Sequence, residues 1–179
     1  IVSSAYGSVT SAPPATLTVF AGSTLYQWSA PVPITTADDT LKLNGQVVGA
    51  EGFGLGVGGD TSVTLSDNTV ITFMGDGSVA TATGNGLGSG GFSGDTGDAN
   101  FNGILGVYSY DGGPKTITLY NLTVGQSYSV QLFAIDDRFD STKSRRASYQ
   151  DPNDNSYTSA VFTMGDNVYI VGTFTAVST

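Results

Sequence analysis

Four side-chain oxygens stand close together in one glycine-rich stretch: Asp95, Asp98, Asn100 and Asn102. Carboxylates and amide carbonyls at this spacing are the ligand types a hard cation such as Ca²⁺ takes, and they mark a candidate structural calcium site. The spacing is not that of an EF-hand, and no bidentate glutamate follows. Asp136, Asp137 and Asp140 form a second candidate set. A different chemistry is offered by the aromatic residues. Trp28, the only tryptophan, and Tyr108, Tyr110 and Tyr149 could present ring faces to sugars, with Arg138 bonding hydroxyls; Tyr157 is a further candidate. Most aromatic residues of strands serve packing instead.

Catalysis finds little support. The chain has no cysteine and no histidine. That removes thiol nucleophiles, thiolate metal sites, the usual general base and the commonest transition-metal ligand. Asp136 and Asp137 do not make a glycosidase pair, because adjacent residues of a strand point to opposite faces. Glu51 is the only glutamate, and a serine nucleophile would need a lysine base without any supporting motif. An intramolecular Lys–Asn crosslink assisted by Glu51 is the remaining covalent option. We expect a non-enzyme with no required cofactor.

The elements that must position these residues follow from composition. Of 179 residues, 39% are apolar, 12% are charged and 25 are glycine. Short polar residues with many glycines suit strands joined by tight turns and discourage long helices. The expectation is an all-β, antiparallel fold. Fifteen acids against six Lys and Arg give a net charge of −9, which repels phosphate backbones and argues against nucleic acid as a partner. No apolar run approaches the roughly 18 residues of a membrane span. The start at Ile1 reads as a processed piece of an exported protein, secreted or held at the cell surface.

Alternation places strands at Ala15–Phe20, Gln46–Ala50, Thr61–Leu65, Thr69–Met74, Thr158–Met164 and Val168–Phe174. Pro31 and Pro33 interrupt the segment after Trp28. Residues 84–97 read as a long loop. Ile117 and Leu119, then Tyr128, Val130, Leu132 and Ala134, alternate on either side of the turn 121–126 and predict two adjacent antiparallel strands. Leu122, Gly125 and Tyr128 predict a tyrosine corner, with the Tyr128 hydroxyl bonded to nearby backbone. Gly165-Asp166-Asn167 predicts a turn, and 136–157 a mixed-charge loop.

Several stretches together resemble a known group of domains: Asp98-Ala-Asn-Phe-Asn-Gly-Ile-Leu105, Ile117-Thr-Leu-Tyr-Asn-Leu-Thr-Val-Gly-Gln-Ser-Tyr-Ser-Val-Gln-Leu132, Asp136-Asp-Arg138 and Val171-Gly-Thr-Phe-Thr-Ala176. Tyr26-Gln-Trp-Ser-Ala30 and Asn68-Thr-Val-Ile-Thr-Phe73 fit the same pattern. The group is the jelly-roll-like β-sandwich domains of large secreted bacterial surface proteins of the PEP-CTERM-associated type, over residues 24–176. Gly7-Ser-Val-Thr-Ser-Ala-Pro-Pro-Ala-Thr-Leu-Thr-Val19 resembles the last strand of a bacterial immunoglobulin-like domain. The resemblance implies an N-terminal extension, 1–20, and a sandwich over 21–179. It also implies a final strand that similar domains carry beyond the point where this chain stops.

A spare strand at one end and a missing one at the other favour strand donation between copies, which propagates as a filament. Val9, Leu17 and Val19 would be the inserted residues. Pairing of Ala15–Phe20 within its own domain is the simpler arrangement. The expected function is therefore a self-associating structural protein, with a homo-oligomer or filament as partner. The alternative is a polysaccharide-binding or adhesive module of a larger surface protein.

Overall fold

In a computed structural model of the chain, the structure describes residues 26–40, 45–56, 58–83, 86–110, 114–138, 143–151 and 154–177, with the backbone of 2–4 and 7–9. Among the described residues the fold is all-β, with one complete α-helix. The first strands are β1 (Val2–Ser4), β2 (Gly7–Val9), β3 (Gln27–Trp28), β4 (Val32–Pro33), β5 (Ala50–Glu51), β6 (Thr61–Thr64), β7 (Val70–Met74), β8 (Ala80–Ala82) and β9 (Gly86–Ser89). Helix α1 (Ala99–Gly106) follows, then β10 (Val107–Tyr110), β11 (Ile117–Leu119), β12 (Ser127–Ala134), β13 (Arg146–Ala147), β14 (Gln150–Asp151), β15 (Asp154–Thr158), β16 (Phe162–Thr163) and β17 (Val168–Thr175). Among the described residues no helix is long and apolar enough to cross a membrane.

The central ladder joins β12 to β17 along eight residue pairs, from Ser127↔Thr175 to Ala134↔Val168. The far side of β17 takes β3 and β4. Pro31 and Pro33 divide this side into two short strands, and Pro33 sits on the outer one, where a missing N–H is tolerated. β7 lies between β6, antiparallel, and β5, parallel.

Alternation sends successive residues of β17 into two cores. Tyr169 joins Ile34, Val63, Leu65, Ile71, Phe73, Phe101, Ile104, Leu105 and Ile135. Val168 and Ile170 join Ala134 and Phe162, with Trp28, Ala147, Tyr149 and Met164 packed alongside. In the first core, Phe133 meets Phe73, Phe101 and Tyr169 at centroid separations of 6.4, 5.6 and 6.4 Å.

The tyrosine corner forms as expected: the Thr123 N–H donates to the Tyr128 hydroxyl at 2.8 Å. The strands on either side of it do not pair, however. β11 pairs with β8, while β12 pairs with β17. The connection between them is anchored at both ends to different sheets. Tyr120 N–H bonds to Val79 O and Asn121 Nδ2 to Ser78 O on one side, and Gly125 N–H bonds to Ala176 O on the other.

Further expectations need correction, beginning with residues 136–157, read as a mixed-charge loop, which carry β13, β14 and most of β15. Residues 86–89 are a strand paired with β10, not loop. Regular pairing at 46–50 is confined to its end, Ala50–Glu51. The turn at 165–167 exists, but the strands around it diverge, β16 going to β13 and β17 to β12. Ala15–Phe20 lies outside the described residues.

Candidate functional site

One face of the central ladder carries a row of aromatic rings. Tyr128 stacks on Phe174 at 5.9 Å, Phe174 on Tyr26 at 5.2 Å, and Tyr26 on Trp28 at 5.5 Å. Trp28 then stacks on Tyr149 at 5.8 Å, and Tyr149 meets Phe162 at 5.5 Å. β-strand geometry explains the row: Tyr26 and Trp28 are two residues apart and share a face, and Tyr128 and Phe174 are direct cross-strand partners. Trp28 lies over its own cross-strand partner, Gly172, where the lack of a side chain makes room for the indole. Its Nε1 donates to Tyr157 O at 2.9 Å. Burial pushes the Tyr149 hydroxyl above its ordinary pKa, and burial followed by the charge of Asp151 does the same to Tyr26. Tyr26, Trp28 and Tyr149 are half-buried. Their faces are turned largely to one another.

The other aromatic candidates form a second group. Tyr108 and Tyr110 on β10 stand opposite Gly88 and Gly86 of β9, and their rings fold over those glycines. This cross-strand arrangement shields bare backbone and explains how a glycine-rich segment holds a strand. The Arg138 guanidinium lies 4.4 Å from the centroid of Tyr108 and also bonds its hydroxyl. Arg138 grips Asp136 with two parallel bonds, at 2.8 and 2.9 Å, and Arg145 reaches the same carboxylate at 3.2 Å. The Asp136 side chain is only 8% exposed. An ion pair so sheltered, with a bidentate guanidinium, has the strong geometry.

Asp137 turns the other way, as adjacent strand-end residues do. It accepts from Ser93 N at 2.9 Å, Ser93 Oγ at 2.9 Å and Asn167 Nδ2 at 2.8 Å. Burial alone would raise this carboxyl. The donations from Asn167 and Ser93, with the charge of Lys143, outweigh it and hold the group below the ordinary carboxylate range.

The proposed calcium ligands gather at the start of α1, where they cap the helix. Asp98 is the N-cap and accepts from Phe101 N at 2.8 Å. Asn102 Oδ1 accepts from the Thr96 N–H and hydroxyl, and its Nδ2 donates to Asp95 Oδ1 at 2.9 Å. Asn100 points elsewhere, donating to Ser62 O at 2.8 Å. Asp38 and Asp98 line a shallow cleft of about 220 Å³ beside this end. Among the described residues no three acidic side chains converge as a metal would require. Of the second set, Asp136 and Asp137 take different partners and Asp140 lies outside the described residues.

Glu51 receives the N–H groups of Gly77 at 3.1 Å and Val79 at 3.3 Å, which occupies it in shaping the turn before β8. Of the assembly residues, Val9 has its backbone in β2, paired with Val2 of β1. Leu17 and Val19 lie outside the described residues. Sequence reasoning missed Phe174, Phe162, Asn167 and the glycines beneath the rings. Only the i, i+2 relation of Tyr26 to Trp28 was available from spacing; the other contacts depend on cross-strand register. No family model, curated protein or solved structure matches the chain.

Proposed function

We propose that this chain is a non-catalytic extracellular structural protein, a jelly-roll-like β-sandwich that self-associates into a filament or surface assembly by donating its N-terminal strand. The observation that carries the reading is the placement of charge. β6 to β12, β16 and β17 contain no Asp, Glu, Lys or Arg. Soluble monomers commonly guard strand edges with charged side chains, lysine above all. Here hydroxyl pairs stand on the strands instead, such as Ser62 with Thr72 at 2.8 Å and Ser127 with Thr175 at 3.3 Å. Val70 and Leu87 are each 59% exposed on such strands. Surfaces of this kind accept another strand without desolvating charge.

Size-exclusion chromatography and electron microscopy on the full chain, beside one lacking residues 1–20, test the proposal. Filaments or large oligomers that disappear on truncation are expected. A monomeric full chain overturns it.

A second reading, a carbohydrate-binding or adhesive module, draws support from the half-buried strip of Tyr26, Trp28 and Tyr149. Under that reading the monomer is retained on a polysaccharide column, and Trp28→Ala abolishes the retention.

A further inference from the structure

The turn leading into β17 brings an amide onto a carboxylate and packs against the backbone of a lysine. Asn167 directs Nδ2 at Asp137 Oδ2, which turns its Oδ1 away from the carboxylate. That oxygen is buried and has no hydrogen-bond partner, a condition that costs about 1–3 kcal/mol in a folded protein. Lys143 approaches the same turn. Its Cα and Cβ each lie 2.7 Å from where a side chain on Gly165 would begin. One residue earlier in the turn, Met164 N–H bonds to Arg145 O at 2.8 Å. The Lys143 charge also acts on Asp137. Asp137 is held in place by Ser93, so amide and carboxylate share a fixed geometry within reach of a long, flexible amine.

We propose that Lys143 and Asn167 form an intramolecular amide crosslink, with Asp137 relaying the proton. The deprotonated Nζ of Lys143 adds to Cγ of Asn167 and forms the new C–N bond. The proton released from Nζ passes to the Asp137 carboxylate. Asp137 returns it to Nδ2 as the Cγ–Nδ2 bond breaks and ammonia leaves. Nothing is oxidised or reduced, Asp137 is regenerated, and each chain loses one ammonia. Amides resist amines in solution; here the amide and carboxylate are held together, and the amine is supplied from a segment packed against the same turn, which raises its effective concentration. The Lys143 side chain is exposed and turns inward to react. The product ties the segment before β13 to the entry of β17 in a chain without cysteine. The inference is independent of self-association.

Intact-mass spectrometry with peptide mapping of the full chain, after prolonged incubation under mildly alkaline conditions, decides it. The expected species is lighter than the sequence mass by one ammonia, about 17 Da, and yields a branched peptide containing both residues. Lys143→Arg keeps the positive charge at an exposed position, cannot make the bond and restores the full mass. A chain that stays at full mass overturns the proposal. So does an ammonia loss that survives Lys143→Arg, the signature of succinimide formation at an asparagine.

Discussion

Trp28 and Gly172 face each other across the ladder between β3 and β17, and the indole leaves no room for a side chain on its partner. A Cβ on residue 172 would stand 2.6 Å from the ring. The only tryptophan of the chain is therefore positioned by a glycine, and the stack from Tyr26 to Tyr149 depends on that vacancy. Gly172→Val is expected to destabilise the protein by about 1–3 kcal/mol through overpacking, read from chemical denaturation, with a change in tryptophan fluorescence. Gly103, in the exposed part of α1 with open space around it, gives the contrast: Gly103→Ala should stabilise by about 0.5–1 kcal/mol.

Tyr128→Phe isolates the hydroxyl of the tyrosine corner. The ring keeps its stack on Phe174, while the Thr123 N–H loses its acceptor. A loss of about 1 kcal/mol is expected in equilibrium unfolding. No change in stability would mean that the hydroxyl does not hold the crossing from β11 to β12.

Asp98→Ala removes the N-cap of α1, and a loss of about 1 kcal/mol is expected. Asp98→Asn keeps a capping oxygen and should retain most of the stability. The pair of variants separates capping from any demand for negative charge at the helix start.

Asp137 contributes a pH dependence whose sign follows from its lowered pKa. A carboxyl depressed in the native state binds fewer protons there than in the unfolded chain, so it stabilises the fold when ionised. That stabilisation is fully present above the unfolded value of about 3.9 and is lost as pH falls through the lower native value. Urea titrations across the acid range should show the wild type losing this increment, while Asp137→Asn shows a shallower acid dependence.

Side-chain alternation made the two β6–β7 strands, β12 and β17 legible in the sequence, because each buries one face or both. Tyr128 was legible because the turn before it has few ways to satisfy its backbone. Pairing was not. Periodicity of two says that a segment is a strand and leaves its neighbour open, so β11 and β12 looked adjacent across a short turn that in fact passes between sheets. Gly86–Ser89 lacked a signal for a different reason: the rings covering its glycines belong to β10, some twenty residues later. Asp95, Asp98, Asn100 and Asn102 were marked as cation ligands, and the task of Asp95, Asp98 and Asn102 at a helix start was hidden because that short helix was not expected. Asn167 read as turn punctuation, and its contact with Asp137 is a product of the tertiary fold.

Among the described residues, the charges on strands are Glu51, Arg146, Asp151 and Asp154, and the others stand outside the strands. The long strands β12 and β17 have a hydroxyl and hydrocarbon texture, and the connections carry most of the negative charge. A second molecule that approaches those strands meets little charge, and one that approaches the connections meets repulsion. Near the isoelectric point of about 4.1, that repulsion fades and the connections lose their protection against indiscriminate precipitation.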